Sequence, residues 1–438
     1  MKNFEVDRLQ NLTEEQHKAA LTAISSPIGI LRGSAGTGKS WTTARILQAV
    51  RSGVRVQMVA PTGKAATRAN ELLVGAGLQP ICTTIHSAME PMAVEGDDGD
   101  VAFAFTRHAG NPLECDLLVV DESSMVDADL FDKLLSATRD HCQILLVGDP
   151  NQLPPVGAGC PYLDLIESGH VPVGTLSSVH RYSGRTGVVC NAIINGDQWE
   201  PSEKIDLDLE SPENFRIINT PNDVATQRTV VDVCRGLRDR GMTDSLVRDV
   251  FVATALNANL PVSRKDLNEK LRPLFNPGFQ ADRPYSRGDR VICKKNSWLK
   301  DSDGEERYVA NGDIGVVRDI PAKGPAAIVE FWNPQRVVEV PAVMRHEIEL
   351  AYAMTVHKLQ GSSAPFVVVA TSGSYGYRMV AKREWTYTAL SRSEKATIVV
   401  GSKSHLDGYC QQRDIVNRKT FFKERIGYEL SQLQEVAE

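Results

Sequence analysis

The sequence predicts an α/β protein built from two parallel-sheet domains in tandem, each with a small β insertion. The prediction depends on three features of the chain. Short apolar runs alternate with helical patterns over residues 28–176, and a second alternating series begins near Val171. Strand-like pieces separated by turn residues interrupt the second series at 280–345. Apolar runs that alternate with helices are typical of buried parallel strands joined by crossover helices.

The composition is that of an ordinary globular protein. The chain has 438 residues, of which 42% are hydrophobic and 24% are charged, a length that predicts roughly two to four domains. It contains no apolar run of about 18 residues, so we expect no membrane span. The first residues, "MKNFEVDRLQNLTEEQ", lack the apolar region of a secretory signal.

The net charge and the cysteines disfavour several further classes of protein. A formal charge of −6 disfavours a protein that coats nucleic acid non-specifically, but a local groove stays compatible with it because binding depends on charge distribution. Eight cysteines are scattered without a C-x-x-C pair, which disfavours a zinc site or a disulfide framework. We expect isolated reduced thiols and a cytoplasmic protein of a bacterium or a phage-infected host cell.

Four apolar runs predict the strands of the first domain: "IGILRG", "VRVQMVA", "CDLLVVD" and "CQILLVGD". Residues 89–115 interrupt this alternation, and "VAFAFTR" within them follows a Gly-Asp-rich turn. That pattern predicts a small β-hairpin insertion. We place the first domain at residues 1–170, with the hairpin at 89–115.

The second domain is predicted from "VPVGTL", "NFRIIN", "RDVFVATAL", "APFVVVATS" and "ATIVVGS". Between the third and fourth of these lie "GDRVICKK", "NGDIGVVRDI", "AAIVEFW" and "RVVEVP", several short strands at close spacing. Such spacing is typical of a small β-barrel. We therefore assign 171–279 and 346–438 to the second domain and 280–345 to a β-barrel insertion.

A glycine-rich loop joins the first apolar run to a helical stretch and fits the phosphate-binding pattern G-x-x-x-x-G-K-[ST]. The glycines allow a tight turn in which backbone N–H groups face phosphate oxygens at a helix N-terminus. In this pattern Lys39 would contact the β- and γ-phosphates, and the Ser40 hydroxyl would contact magnesium. The predicted nucleotide-binding residues are Gly33, Ser34, Ala35, Gly36, Thr37, Gly38, Lys39 and Ser40.

Two further strand ends carry polar residues that suit phosphoryl chemistry. Asp121 and Glu122 follow the run "LLVV", at the end of a strand where ligands bind in open α/β sheets. Asp121 would hold magnesium, and Glu122 would act as a base towards the attacking water. Gln152 lies in "LLVGDPNQLPPV", on a loop stiffened by prolines, where it could sense the γ-phosphate.

Nine short motifs follow one another along the chain: "LTEEQ", "GSAGTGKS", "APTGKAA", "TIHSAM", "VVDESSM", "GDPNQLPPV", "VHRYS", "MTVHKLQGSS" and "YTALSRSEK". Their order is that of superfamily 1 helicases, and they resemble the RecD-like and phage Dda-like branch. The resemblance implies two RecA-like domains in tandem. It also implies a hairpin pin at 89–115 and a Src-homology-type β-barrel at 280–345.

The resemblance also implies roles for individual residues. Gln16 would read the adenine edge, and Gln152 would couple the γ-phosphate to the nucleic-acid groove. Arg181 and Arg392 would be the paired arginines that reach the phosphates from the second domain. The Gly361 backbone would lie close to the γ-phosphate.

The residues implied to line the strand groove carry hydroxyl, ammonium or imidazole groups, which suit phosphate contacts. They are Thr62, Lys64, His86, Thr355, His357 and Lys358. The two histidines could equally be structural. Phe103 and Phe105 would lie in the pin, where a ring could stack on a splayed base or pack within its own subdomain. Lys294, Lys295 and Trp298 could touch the strand or form a solvated loop.

The function implied by the resemblance is an ATP- and Mg²⁺-dependent DNA helicase that moves 5′ to 3′ on single-stranded DNA. It would unwind duplex DNA in replication, recombination or repair. We expect single-stranded DNA and junctions as partners, a single-strand-binding or replication protein as a further one, and action as a monomer away from membranes. The alternatives are a translocase that displaces proteins with little unwinding, an RNA helicase, and a nucleotide-switched binding module.

Overall fold

The structure is a computed structural model that describes residues 2–95, 101–178, 184–203, 213–241, 245–332, 335–418 and 420–437. The chain divides into two compact units. The first unit comprises Met1–His180 together with Ile415–Glu438, and the second comprises Arg181–Asp414. Each contains a parallel sheet flanked by helices. The predicted α/β class with two parallel-sheet domains is confirmed.

The first unit is built on a six-stranded parallel sheet of order β3-β2-β6-β7-β1-β8. Its strands, with the antiparallel pair β4 and β5, are β1 (Ile28–Gly33), β2 (Val56–Ala60), β3 (Cys82–Thr84), β4 (Pro91–Glu95), β5 (Val101–Phe105), β6 (Leu117–Val120), β7 (Gln143–Gly148) and β8 (Val173–Leu176). The helices among them are α1 (Glu14–Ala23), α2 (Lys39–Gln48), α3 (Gly63–Gly75), α4 (Ile85–Ala88), α5 (Ala128–Ser136) and α6 (Pro161–Ser168).

Side-chain caps fix where several of these helices begin. The Thr13 hydroxyl accepts a hydrogen bond from the backbone of Gln16, and the Gln16 side chain accepts one from the backbone of Thr13. Thr62 and Asp127 cap α3 and α5 in the same manner. Each cap satisfies a backbone N–H that the helix leaves unpaired, which stabilises the helix by about 1 kcal/mol.

Strand β8 belongs to the first unit, although its sequence "VPVGTL" was assigned to the second domain. It pairs in parallel with β1, from Ile30 opposite Val173 to Gly33 opposite Leu176. Helix α1 covers the pair so closely that a Cβ atom at Gly174 would lie 2.0 Å from the Ala19 carbonyl oxygen. The first parallel series therefore extends beyond the predicted boundary at residue 170.

The hairpin of β4 and β5 follows α4, as the sequence predicted. Its strands pair from Pro91 opposite Phe105 to Glu95 opposite Val101. The hairpin returns the chain through Leu113 and Cys115 to the start of β6, and both of these residues are buried in the core. The insertion therefore leaves the parallel sheet after β3 and rejoins it at β6.

The second unit holds a five-stranded parallel sheet of order β18-β10-β19-β20-β9. Its strands, including those of the insertion, are β9 (Phe215–Asn219), β10 (Val250–Thr254), β11 (Arg290–Cys293), β12 (Ser297–Lys300), β13 (Glu306–Val309), β14 (Ile314–Asp319), β15 (Ala327–Trp332), β16 (Gln335–Val340), β17 (Ile348–Leu350), β18 (Ala353–Thr355), β19 (Ala364–Ala370) and β20 (Ser393–Gly401). Its helices are α7 (Gly184–Asn195), α8 (Asp223–Asp239), α9 (Leu246–Asp249), α10 (Arg264–Phe275), α11 (Val356–Leu359), α12 (Tyr375–Val380), α13 (Arg383–Leu390) and α14 (Lys403–Cys410).

The insertion in the second unit consists of short strands, as predicted, and these strands pair antiparallel. Five strands pair in the order β16-β15-β14-β11-β17, and β12 and β13 form a separate two-stranded ribbon. Among the described residues these pairings give an open sheet and not a closed barrel. The sheet has its own apolar core, which includes Tyr285, Val291 and Phe331.

Arg290 ties the insertion to the parallel sheet of the second unit. The side chain is fully buried, and its guanidinium donates hydrogen bonds to the carbonyl oxygens of Val247, Val250, Ala351 and Tyr352. Burial lowers the pKa of Arg290 to about 10. One cation therefore satisfies four backbone acceptors where the insertion leaves and rejoins the unit.

The end of the chain returns to the first unit. The predicted second domain includes 346–438, but the second unit ends at Asp414, and helix α15 (Phe422–Ala437) packs on α6 of the first unit. Arg418 donates to the Gly157 carbonyl at 2.6 Å. The Phe422 ring meets the Phe131 ring edge-on with centroids 6.2 Å apart. In the part of the chain that the structure describes, no helix is both long and apolar enough to cross a membrane.

Two of the cysteines lie together, whereas the sequence led us to expect isolated thiols. The sulfur atoms of Cys115 and Cys142 are 3.6 Å apart, and both side chains are buried. They meet because they precede β6 and β7, which are neighbours with Leu117 opposite Gln143. The hydrogen bond with Cys142 lowers the pKa of the Cys115 thiol.

Candidate functional site

The sequence motifs of the first unit converge at one edge of its sheet. All six strands are parallel, so their carboxyl ends share an edge, which is where open α/β sheets bind ligands. In sheet order, the predicted site residues that follow the strands are His86 after β3, Thr62 and Lys64 after β2, Asp121 and Glu122 after β6, Gln152 after β7, and the glycine loop after β1. The residues predicted for the nucleic-acid groove therefore follow neighbouring strands, beside those predicted for the nucleotide.

The glycine loop makes a tight turn between β1 and α2. Gly36 and Gly38 have φ angles of 81° and 85°, in the left-handed region that favours glycine. At Gly33 an added Cβ atom would lie 2.4 Å from the Thr37 hydroxyl oxygen. Successive backbone N–H groups in such a turn form a concave site for an anion.

Lys39, the first residue of α2, lies over this loop. Its ammonium donates hydrogen bonds to the carbonyl oxygens of Gly33 at 2.6 Å and Ser34 at 3.0 Å. The side chain is half-buried, and the two hydrogen bonds hold its charge close to the loop backbone. Ser40, the predicted magnesium ligand, follows it in the first turn of the helix.

Gln16 is the buried polar residue of α1 that lies nearest the loop. Its amide nitrogen is 2.8 Å from the position that a Cβ atom at Gly38 would occupy. The capping box with Thr13 fixes the side chain from the other side. The structure therefore places the predicted adenine-reading amide against the nucleotide-binding loop.

Asp121 and Glu122 follow the four buried residues of β6. Burial and the neighbouring Glu122 carboxylate raise the pKa of Asp121 to about 7, while the Glu122 N–H and the charges of Lys39 and Arg68 act in the opposite direction. The Glu122 backbone N–H donates to the Asp121 carboxylate at 2.9 Å. Two adjacent carboxyl groups with different environments are typical of sites that use one as a ligand and one as a base.

Glu122 has an unusual backbone and an unsatisfied side-chain atom. Its φ angle is 49°, which is rare for a residue with a side chain and costs conformational energy. Its Oε2 atom is buried and has no hydrogen-bond partner among the described residues. A buried acceptor without a donor is suited to receive a hydrogen bond from a bound molecule such as water.

Gln152 follows β7, the neighbour of β6, and it is hydrogen-bonded to Asp149, a carboxylate that no sequence motif singles out. The Gln152 amide nitrogen donates to the Asp149 carboxylate at 3.4 Å, and Asp149 is fully buried. The Gln152 amide oxygen is buried without a partner in the described part of the chain. The signal for Asp149 was its position directly after the buried strand β7.

The predicted strand-groove residues of the first unit have different environments. The Thr62 hydroxyl accepts a hydrogen bond from the Ala65 backbone at 3.2 Å, and Lys64 is half-buried nearby in the chain. His86 is exposed, and its ring centroid lies 5.7 Å from that of Phe105. Phe105 also packs against the core of the first unit, at the base of the hairpin. The side chain of Phe103 lies outside the described residues.

In the second unit, β18 leads directly to the predicted groove residues. Thr355 is buried at the end of the strand, His357 is exposed on α11, and Lys358 forms an ion pair with Glu349. Glu349 was not singled out from the sequence because it belongs to a short strand of the insertion. Lys294, Lys295 and Trp298 are exposed, and the Trp298 ring lies 5.3 Å from the Tyr308 ring.

Gly361 and Arg392 come together where β19 and β20 begin. Gly361 has a φ angle of 74°, in the left-handed region. The buried Arg392 side chain donates to the carbonyl oxygens of Thr388 at 3.0 Å and Ser362 at 3.5 Å. The Arg392 carbonyl accepts from the Ala364 backbone at 3.1 Å. Arg181, its predicted counterpart, lies outside the described residues.

Known proteins share these sequence features and this fold. The sequence profile of an AAA domain matches residues 16–158, and that of a UvrD-like helicase C-terminal domain matches residues 350–400. The RecBCD enzyme subunit RecD of Mycolicibacterium smegmatis is 30% identical, over 94% of this chain and 75% of that protein. The chain belongs to the RecD-like family of superfamily 1 DNA helicases. The resemblance drawn from its motifs is confirmed.

Other RecD-like and helicase proteins extend the comparison. The ATP-dependent RecD2 DNA helicase of Deinococcus radiodurans is 30% identical over 90% of this chain, which spans 50% of that protein. The crystal structure of Bacteroides Pif1 bound to single-stranded DNA shares the fold, with a TM-score of 0.52, 18% identity and 97% of each chain covered. The RecD-like chain described here therefore has the fold of a superfamily 1 helicase.

Proposed function

We propose that this RecD-like chain uses ATP to move 5′ to 3′ along single-stranded DNA and to separate the duplex ahead of it. The observation that carries the proposal is the edge of the six-stranded sheet. There, the glycine loop, the acidic pair and the groove motifs follow neighbouring parallel strands. A nucleotide and a strand bound at one sheet edge would act on the same short loops, so a change at one would reach the other.

The first unit offers a fitting site for a nucleoside triphosphate. The left-handed Gly36 and Gly38 shape the loop for phosphate, and Lys39 adds a positive charge directly above it. Gln16 lies against Gly38 and can offer both a donor and an acceptor to an adenine edge. The crowding at Gly33 supports this assignment, because the loop leaves no room there for a side chain.

Ser40 and Asp121 would hold Mg²⁺ with the nucleotide, since a hydroxyl and a carboxylate are the oxygen ligands that this ion prefers. The ion would neutralise charge on the phosphates. The raised pKa of Asp121 fits such a site, because a nearby divalent cation favours the ionised carboxylate. Glu122, whose Oε2 lacks a partner among the residues described, would accept the proton of the attacking water.

Four residues would respond to the γ-phosphate. Arg181 and Arg392 would stabilise the charge that develops on the transferred group, as planar, permanently charged guanidiniums do. Gly361, beside Arg392 in the second unit, would contribute its backbone. Gln152, held by Asp149, would pass the state of the γ-phosphate to the groove.

Two sets of residues would hold the strand through its phosphates. The set in the first unit is Thr62, Lys64 and His86, and the set in the second unit is Thr355, His357 and Lys358. Contacts to phosphates fix a strand without reading its sequence. Movement then requires each set in turn to bind the strand more tightly and more weakly as the nucleotide state changes.

The hairpin of β4 and β5 would meet the duplex junction. Phe103 is the better candidate for stacking on a base, because Phe105 packs against His86 and the core at the hairpin's base. We propose single-stranded DNA and junctions as partners, a single-strand-binding or replication protein as a further partner, and action as a monomer. We place this activity in the cytoplasm of a bacterium or a phage-infected cell, in recombination, repair or replication.

A directionality assay tests the proposal. Duplexes with a 5′ or a 3′ single-stranded tail are incubated with the protein, ATP and Mg²⁺, and strand separation is followed by fluorescence. We expect separation of the 5′-tailed duplex only, and loss of separation with Phe103→Ala while ATPase stimulation by single strands is retained. Separation of the 3′-tailed duplex would contradict the proposed polarity. Stimulated ATPase without separation would favour a translocase, and stronger stimulation by RNA would favour an RNA helicase.

A further inference from the structure

Glu349 lies between two cations of the second unit. Its carboxylate forms one ion pair with the Lys358 ammonium and another, of 3.1 Å, with the Arg264 guanidinium. All three side chains are partly exposed, at 18% for Arg264, 18% for Glu349 and 28% for Lys358. Solvent, and therefore a charged ligand, can reach this group.

The two cations come from the carboxyl ends of neighbouring strands. Strand β10 pairs in parallel with β18, with Thr254 opposite Thr355, and Lys358 follows β18 directly. Arg264 begins α10 after the loop that follows β10. The loop fixes it, because the Arg264 backbone donates to the Leu256 carbonyl at 2.8 Å and its side chain donates to Asn257 at 3.0 Å. Arg264 and Lys358 therefore lie at the ligand-binding edge of this sheet.

The carboxylate comes from a different element. Glu349 belongs to β17 of the insertion, which pairs with β11 so that Ile292 lies opposite Glu349. The buried Arg290, at the start of β11, holds this strand to the parallel sheet. The insertion therefore presents an anion to two cations at the edge where the strand is proposed to bind.

We propose that Glu349 occupies the place of a DNA backbone phosphate between Arg264 and Lys358 in the strand-free protein, and that an arriving phosphate displaces it. The proposal rests on the proposed function, because Lys358 must face the strand. Carboxylate and phosphate oxygens bind guanidinium and ammonium groups in the same manner, so one anion can replace the other.

The exchange has a consequence for the strength of the grip. A cation that binds DNA normally releases counterions, which makes affinity fall with salt at a slope of about 0.7 per phosphate contact on single strands. When Glu349 is displaced, its carboxylate attracts a counterion from solution, which offsets the counterion that the phosphate loses. This contact therefore yields little net release of counterions. The strand would be held more weakly here, and the two cations would stay paired when the phosphate leaves.

The test is the salt dependence of single-strand binding by the full chain. Binding of a fluorescently labelled oligo-dT is measured without nucleotide over a range of salt concentrations for the wild type, Glu349→Gln and the matched control Glu347→Gln. Glu347 lies two residues earlier, and its replacement causes the same change in net charge. We expect Glu349→Gln to steepen the slope by about 0.7 and to tighten binding about fivefold near 0.1 M salt, with a smaller effect in the control.

Further measurements separate this role from a purely structural one. The Glu349→Gln gain should shrink by more than half in a Lys358→Gln background, because the phosphate would have lost one of its two partners. Thermal unfolding of each variant shows whether the fold is retained, and Glu349→Asp, which keeps the charge on a shorter side chain, should bind more like the wild type. Equal or weaker binding by Glu349→Gln, relative to Glu347→Gln, would overturn the inference. If the wild type itself failed to bind oligo-dT, the proposed function would fail instead.

Discussion

The side-chain amide of Gln16 lies against Gly38, with its nitrogen 2.8 Å from the position that a Cβ atom at Gly38 would occupy. The contact joins Gln16, near the start of α1, to the loop that follows β1. The rest of α1 and the whole of β1 lie between these two positions in the chain. Gly38 also has a φ angle of 85°. Any side chain at position 38 would therefore be strained and would push away the amide that we assign to adenine.

Replacing Gln16 by alanine should weaken the binding of ATP but not that of inorganic tripolyphosphate. The variant loses the hydrogen bonds to the base, which correspond to about a tenfold loss of affinity, while the loop amides and Lys39 remain. Competition binding with both ligands measures the two effects. Lys18→Ala, an exposed change on the same helix, should alter neither. Equal loss for both ligands would contradict the assignment of Gln16 to the base.

The raised pKa of Asp121 makes the stability of the metal-free protein depend on pH. Its pKa rises from 3.8 in an unfolded chain to about 7 in the fold, so between these values the folded protein keeps a proton that the unfolded chain releases. Stability therefore falls as the pH rises through this window. Asp121→Asn removes the cost of the charge, so its melting temperature in a chelator should exceed that of the wild type above about pH 7 and approach it near pH 4. A difference that does not change with pH would contradict the account.

Helix α15 should stabilise the first unit through Phe422. Alanine for a fully buried phenylalanine costs about 3–5 kcal/mol, so this half-buried ring, which meets Phe131, should contribute about 2 kcal/mol. The neighbouring Phe421 is 81% exposed and serves as a matched control. Urea unfolding should show a loss for Phe422→Ala and almost none for Phe421→Ala. Similar values for the two variants would mean that α15 does not pack on this unit in solution.

Arg290→Met should destabilise the second unit strongly. The substitution keeps an apolar side chain of similar length but leaves the carbonyl groups of Val247, Val250, Ala351 and Tyr352 without their donor. Unsatisfied buried acceptors cost about 1–3 kcal/mol each, so we expect a loss of about 3 kcal/mol or more. The measurement is equilibrium unfolding in urea, with the exposed Arg287→Met as the control. A loss no larger than that of the control would show that other groups join the insertion to the sheet.

The parts of the site that the sequence revealed are those built from consecutive residues. The glycine loop and the pair Asp121 and Glu122 each follow an apolar run, and a strand that ends in such residues directs them to the ligand edge whatever its neighbours are. The order of the strands in the sheet does not follow from such runs. That β8 pairs with β1 depends on contacts across the chain, so the boundary at residue 170 was placed too early.

The contacts that the sequence did not reveal join residues far apart in the chain. A helical pattern predicts α15 but does not say which surface it covers, and its partner Phe131 lies in a distant helix. Asp149, Arg290 and Glu349 are single charged residues in or beside strands, where charge usually indicates a solvent-facing position. Only the structure shows that their partners are Gln152, four carbonyl groups, and two cations.

The central claim is that this chain hydrolyses ATP with Glu122 as the base, and that a bound single strand of DNA stimulates the hydrolysis. The most direct test is the steady-state ATPase rate with and without oligo-dT for the wild type and Glu122→Gln. We predict that the strand raises the wild-type rate severalfold, and that Glu122→Gln lowers the stimulated rate by a factor of about 10²–10⁴ while still binding nucleotide. A wild-type rate that ignores the strand, or a Glu122→Gln variant that hydrolyses ATP like the wild type, would contradict the account.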